Sequence, residues 1–190
     1  MWAELRATGS ADRSYQNLVR TITPGETVLN VGSGDGEVSG KLRTYGCPEV
    51  VDIDITDQVR NPALPAATVF NGRHLPYAAE SFDVSIAVFV FHHAHTQQRA
   101  LCAEMVRVTR ERIVLIEDTP VHWHERCLIF VHAVVSALRG WGGWCTFRSP
   151  TEWEEWFATF DTVTLVESRP ASGRWWYPVT RRCFVLEKRE

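Results

Sequence analysis

Gly32, Gly34 and Gly36 stand at alternate positions just after the apolar run Val28-Leu29-Asn30-Val31. Glycine takes positive φ and carries no Cβ, so this turn lets a ligand approach the main chain closely. A strand that ends in such a turn before a helix suits a nucleotide-sized ligand at the carboxyl edge of a parallel sheet. Asp54 lies 22 residues beyond Gly32, at the end of the next apolar run, where an acid meets a ribose hydroxyl pair. Asp52 is its rival, because strand alternation puts both on one side; the position of the ligand edge favours Asp54. The third glycine gives G-x-G-x-G, with Glu37 where a dinucleotide pattern needs glycine, which argues against a nicotinamide cofactor. No G-K-[ST] follows, which argues against a P-loop.

A second group of reactive side chains closes the long apolar run Phe82–Phe91: His92, His93 and His95. His93 is a candidate general base, since imidazole titrates near neutrality; a packed or solvated histidine is the plain alternative. His122 and His124, taken with His93 and His95, raise zinc, but no cysteine pair accompanies them and no metal is expected. Glu117-Asp118 ends another apolar run at the same edge. The pair suits a substrate contact, a magnesium, or the cap of a following helix.

The elements that position these groups read as alternating strands and crossovers. Strands are expected at Val28–Val31, Val50–Ile55, Thr68–Phe70, Phe82–Phe91 and Ile113–Ile116. Helices are expected over 11–22 and Glu37–Tyr45, and from a Thr96 cap to Val108 with Leu101, Met105 and Val108 inward. This is the pattern of a doubly wound α/β sheet. The second part differs. His122–Leu138 reads as an apolar helix. Ser149-Pro150-Thr151-Glu152 is a capping box opening a helix with Trp153, Trp156, Phe157 and Phe160 on one face. Two strands follow near Thr162–Glu167 and Cys183–Glu187. Trp141, Trp144, Trp175 and Trp176 fall in loops among glycines and prolines, as pocket lining, packing, or a partner surface.

Bulk properties narrow the classes. A chain of 190 residues fits one domain with a full core. A net charge of −3 with scattered Lys and Arg argues against a nucleic-acid surface. Five cysteines without a CxxC pair read as reduced thiols. The apolar stretch Cys127–Leu138 is too short to span a bilayer, and Met1–Arg6 has no signal-peptide core, so a cytoplasmic location is expected.

Taken in order, the motifs resemble the class I S-adenosylmethionine-dependent methyltransferases, closest to their small-molecule type 11 branch. Val28 to Gly36 resembles the family's V-L-D-x-G-x-G-x-G. Val51-Asp52-Ile53-Asp54-Ile55-Thr56 resembles G-V-D-I-S, with Asp54 as the ribose acid. Asn71-Gly72-Arg73-His74-Leu75-Pro76-Tyr77 resembles the acid-x-x-x-L-P-F segment. Ser81-Phe82-Asp83-Val84 is similar to S-F-D-x-V and leads to His92-His93, and Glu104-x-x-Arg107-Val108 is similar to E-x-x-R-V-L. The sequence departs from the family at Asn30 and Asn71, where acids are usual, and at Thr109–Arg112, where a glycine pair is usual.

The resemblance implies a Rossmann-like sheet of seven strands in the order 3-2-1-4-5-7-6, the last antiparallel, with helices on both faces. It implies one domain over 1–190, with a cofactor half at about 25–118 and a substrate half at about 119–182. It implies methyl transfer from S-adenosylmethionine to a small-molecule acceptor by in-line displacement, leaving S-adenosylhomocysteine. Asn30, Gly32, Ser33, Gly34, Gly36, Asp54, Ile55, Asn71, Gly72, Leu75 and Phe91 are the expected cofactor contacts. His93 and His92 stand at the reaction centre. His95, Glu117, Trp141, Trp144 and Trp176 are expected on the acceptor. The two asparagines motivate an alternative: a module that keeps the fold without catalysis and acts through a protein partner at its aromatic loops. A homo-oligomer through the same loops is a further expectation.

Overall fold

The structure is a computed structural model, and it describes residues 10–59, 63–138, 145–171 and 178–189. Seven strands form one sheet: β1 (Val28–Val31), β2 (Val50–Asp54), β3 (Thr68–Val69), β4 (Phe82–Val88), β5 (Thr109–Asp118), β6 (Val163–Pro170) and β7 (Arg181–Lys188). Their order is β3-β2-β1-β4-β5-β7-β6. The first five strands pair parallel, and β7 runs antiparallel to both β5 and β6. This is the order and direction that the resemblance implies. The strand order reverses at β1, between β2 and β4, so the crevice of a doubly wound sheet opens above the carboxyl end of β1.

Both faces of the sheet are covered, and period-2 alternation divides the strand residues between two cores. Val28, Val84, Ile86, Val114, Ile116 and Cys183 pack with Leu18 of α1 (Ser10–Leu18) and Leu42 of α2 (Glu37–Tyr45). Leu29, Val31, Ala87, Ile113, Leu115, Phe184 and Leu186 pack with residues of α4 (Gln98–Val108) and α6 (Pro150–Ala158), among them Met105, Trp153 and Phe157. Asn30 shares the parity of Val28 and therefore points under α2. That parity decides what Asn30 does.

The boundaries differ from expectation in physically informative places. The apolar run at 82–91 is not one strand. Strand β4 stops at Val88, Phe89 turns to φ 59°, and a short helix, α3 (Phe91–Ala94), begins. Hydrophobicity is continuous across this break because both pieces are covered. The turn is held instead by the buried Glu117 carboxylate of neighbouring β5, which accepts from the N–H groups of Val90 (2.9 Å) and Phe91 (2.7 Å). Thr96 does not cap a helix. It lies in a 3-10 turn, His95–Gln97, and α4 starts at Gln98 with no side-chain cap. β5 begins at Thr109, four residues before the expected start at Ile113, so Arg110 and Arg112 are strand residues. α1 ends at Leu18, four residues short of the expected end at 22.

Beyond β5 lies α5 (Trp123–Leu138). Glu125 fastens its start: its carboxylate accepts from Val121 N and His122 N, and also from Thr180 N and Oγ1 just before β7. The Ser149 box forms as expected. Ser149 Oγ accepts from Glu152 N and the Glu152 carboxylate accepts from Ser149 N, with Pro150 opening α6.

Candidate active site

The carboxyl edge of β1 is a loop of three glycines in the left-handed region, with φ 69° at Gly32, 57° at Gly34 and 76° at Gly36. A Cβ on Gly32 would lie 2.4 Å from Val90 Cγ2, so this glycine lets the loop close against the turn between β4 and α3. Gly34 is the opposite case. A Cβ there would meet no atom of the described residues within 4 Å beyond its chain neighbours, which marks main chain open on that side. Between them the Ser33 hydroxyl is buried and has no hydrogen-bond partner among the described residues. A buried unpartnered hydroxyl is costly unless a ligand or water meets it. Gly36 also begins α2, whose positive N-terminal end favours negative charge on a ligand.

Asp54 sits under this loop. Its Oδ2 accepts from Gly34 N (2.9 Å), and its Oδ1 from Ile55 N (2.7 Å) and Thr56 N (3.4 Å). A carboxylate offers about four acceptor positions, so one stays open towards a hydroxyl donor. Asp52 is engaged beneath α2 instead. Its Oδ2 accepts from Arg43 at 3.0 Å, and its Oδ1 accepts from Ser39 Oγ and, at 3.2 Å, from Asn30 Nδ2. The two acids thus differ in their partners: Asp52 is held by Ser39 and Arg43 of α2, and Asp54 by the backbone of the glycine loop and of residues 55–56. Asn30 also donates to Ser39 Oγ at 2.8 Å and is only 2% exposed. The structure therefore places the Asn30 amide in a buried network beneath α2, and an acid at this position would face Asp52.

The next wall of the crevice is the segment after β3. Ile55 is 57% exposed, an apolar side chain at the edge suited to the face of a heterocycle. Asn71 Oδ1 accepts from the N–H groups of Arg73 and His74, both at 2.9 Å, so it shapes a turn. Its amide is the group left for a ligand. Gly72, φ 75°, lies against Gln97 and Ile55. Leu75 is fully buried, and its N–H is fixed by Glu104 Oε2 at 2.9 Å. Arg107 completes the clamp, donating to Leu75 O, to Tyr77 O and to both Glu104 oxygens. Hydrogen bonding to Arg107, then the Leu75 N–H and the Arg107 charge, outweigh burial and hold Glu104 down at about 2. The i, i+3 spacing of Glu104 and Arg107 was visible in the sequence; that they grip the 75–77 backbone was not.

The third wall is α3 and a strap that crosses it. His92 is buried, and its Nδ1 lies 2.6 Å from Glu117 Oε2. Cys145 Sγ lies 3.4 Å from His93 Nδ1, Thr146 N donates to His92 O at 2.8 Å, and Phe147 stacks on His92 with centroids 4.7 Å apart. Arg148 donates to Gln98 Oε1, Gln98 donates to Phe91 O, and the Arg148 guanidinium lies over Trp153 and Trp156. From α5, His132 reaches the same place: one coordinating atom from each of His92, His93 and His132 lies within 4.8 Å of the other two. Burial, then the neighbouring His92 and His132, push His93 down to about 3. The ring is neutral at pH 7 and is a weak proton acceptor.

Several expected contacts resolve differently. Glu117 is fully buried with its bonds going to Val90, Phe91 and His92, so it anchors α3 instead of meeting an acceptor. The Phe91 ring faces the core, edge-on to Trp153 and Trp156, and not the edge. His95 is exposed on the 3-10 turn. His122 and His124 stack on one another at the start of α5, away from His93; His132 is the histidine that joins the pair. Sequence reasoning missed Cys145, His132, Phe147 and Arg148, which reach the edge only through tertiary packing. Trp141, Trp144 and Trp176 lie outside the described residues.

Residues 29–116 match the type 11 methyltransferase family, described as a methyltransferase domain. A human protein named "Probable tRNA methyltransferase 9B" is 33% identical over 90 residues, 45% of this chain; the chain spans 19% of that relative's length. A chain of the Haloferax volcanii complex between the Trm112 methyltransferase activator and a methyltransferase superposes with TM-score 0.74 at 15% identity, covering 94% of this chain and 89% of its own. Magnesium protoporphyrin IX methyltransferase from Synechocystis, with bound SAH, superposes with TM-score 0.66 at 16% identity, covering 94% and 82%. At these identities the structural likeness speaks for the fold, and the family match speaks for the motif-bearing segment. Residues 29–116 thus carry the match to the type 11 methyltransferase family, and the chain shares the seven-stranded fold of these methyltransferase neighbours.

Proposed function

We propose that this chain binds S-adenosylmethionine at the glycine loop and transfers its methyl group to a small-molecule acceptor. The observation that carries the reading is the loop itself: main chain open to space at Gly34, the unpartnered Ser33 hydroxyl beside it, and Asp54 below with an acceptor position left. Asp54 would take the ribose, Ile55 and the Asn71–Leu75 segment the adenine, and the start of α2 the carboxylate. The cofactor supplies a methyl on a sulfonium, already a good leaving group. The chain's part is to align the acceptor beside His93 and Phe147 and to exclude water. A neutral His93 is suited to receive a proton from an acceptor that sheds one readily, and less suited to activating a weak acid.

A small acceptor is favoured over the tRNA that the human relative's name suggests. Arg43, Arg107, Arg110, Arg112, Arg169 and Arg181 are each paired with a carboxylate. A phosphate backbone needs such cations uncommitted. The experiment is calorimetric titration with S-adenosylmethionine and S-adenosylhomocysteine, on the wild type and on Gly34→Ala. A methyl at Gly34 meets no protein atom, so the variant is expected to stay folded at a cost of about 1–2 kcal/mol for its left-handed φ, and to bind weakly. No heat from the wild type at millimolar ligand overturns the proposal, as does equal binding by the variant.

A second reading is a partner-dependent or non-catalytic module. One observation favours it: the outer face of α5 exposes Trp123 (78%), Phe130 (61%), Val131 (59%) and Leu138 (83%). The Haloferax volcanii neighbour is described in complex with an activator. Radiolabelled methyl transfer over metabolite pools separates the two, since turnover by the isolated chain removes the second reading.

A further inference from the structure

Three histidines from two distant parts of the chain meet at the edge of β4: His92 and His93 on α3, and His132 on α5. Cys145, from the strap before α6, reaches His93 Nδ1 at 3.4 Å. We propose that His92, His93, His132 and Cys145 form a binding site for a zinc-type divalent cation, in which His93 holds the metal in place of receiving a proton from an acceptor.

The geometry supports this in three ways. One coordinating atom from each histidine already lies within 4.8 Å of the other two. Tetrahedral coordination at zinc–nitrogen distances of about 2.0–2.1 Å asks for about 3.3 Å between nitrogens, so closure needs side-chain shifts of about 1.5 Å or less. Then there is the orientation of His92. Its Nδ1 meets the buried Glu117 carboxylate at 2.6 Å, leaving Nε2 to coordinate. A metal-bound imidazole commonly gives its other nitrogen to a carboxylate, which fixes tautomer and ring direction. Glu117 is held in turn by the Val90 and Phe91 N–H groups, so the support is as rigid as the sheet. Finally, the donor set of imidazoles and one thiol suits zinc or cobalt and not magnesium or calcium, which take oxygen ligands. The exposed pair His122 and His124 has no such surroundings.

A cation here would fasten α5 and the strap onto α3, closing loops of some 40 residues at the carboxyl edge. It would fix the wall against which an acceptor lies without touching the glycine loop. The absence of metal expected from the sequence is what this proposal reverses.

The test strips the full chain with chelator, loads Co²⁺ or Zn²⁺, desalts it, and measures retained metal and the visible spectrum of the cobalt form. The expected result is about one equivalent retained, with the intense bands of four-coordinate cobalt and a sulfur-to-cobalt band that Cys145→Ser removes. His132→Ala should abolish retention. His132→Gln, which keeps a polar planar side chain, should do the same while far-UV circular dichroism reports an intact fold. His122→Ala with His124→Ala should retain the metal. No retention by the wild type, or retention that follows His122 and His124 and survives His132→Gln, overturns the site. A cobalt spectrum without the sulfur band overturns Cys145 as a ligand.

Discussion

Asn30→Asp would restore the residue type usual in the family's first motif, and the structure says it should harm this protein. Asn30 Nδ2 lies 3.2 Å from Asp52 Oδ1, both side chains are buried, and the cation paired with Asp52 is Arg43. Two carboxylate charges at that distance repel by about 5 kcal/mol at an effective dielectric of about 20. The introduced carboxyl has a cheaper escape, which is to stay protonated. At pH 7, about three units above an ordinary Asp pKa, that costs about 4 kcal/mol. Protonation therefore caps the penalty, and the cap falls by about 1.4 kcal/mol per pH unit, to about 1.5 kcal/mol at pH 5. The protonated acid has one donor where the amide makes two bonds, so a residual loss of about 1 kcal/mol is expected at any pH. Urea unfolding of both proteins at pH 7 and pH 5 measures this directly. A variant within about 0.5 kcal/mol of wild type at pH 7, or a deficit that does not shrink at pH 5, would refute the like-charge argument.

Three further outcomes follow from the same geometry. Gly32→Ala, whose Cβ would fall 2.4 Å from Val90 Cγ2 at φ 69°, should cost about 2–4 kcal/mol in denaturant unfolding, and a Val90→Ala background should recover the packing part but not the backbone part. Glu104→Gln removes the charge that grips Leu75 N and Arg107, so calorimetry should show S-adenosylhomocysteine affinity falling about tenfold, with unchanged affinity refuting the clamp. Burial raises Glu125, but bonds from Thr180, His122 and Val121 outweigh it and hold it at about 2, against an ordinary 4.5, so its contribution is complete above about pH 4.5 and is lost as pH falls towards 2; Glu125→Gln should flatten the stability profile in that window.

Much of the scaffold was legible because its signals are local. The apolar runs Val28–Val31 and Val50–Ile55, glycines at fixed offsets and the Ser149 box each depend on residues a few positions apart, and each formed where expected, the second strand ending one residue early at Asp54. The end of β4 was not legible. Composition stays apolar through Phe91, while the break is enforced by Glu117, a residue 26 positions away on another strand.

The sequence by itself determined the glycine loop, the parallel core and the motifs matched over residues 29–116, because strand parity and turn chemistry are properties of short stretches of chain. Only the tertiary structure decided which groups meet. Packing of α2 against β2 joined Asn30, Ser39, Arg43 and Asp52 into one buried network. Packing of α5 and the 145–148 strap across α3 brought His132 and Cys145 to His92 and His93. No spacing rule links positions 92, 132 and 145, since their proximity is set by how two helices and a strap bury their faces against one sheet edge.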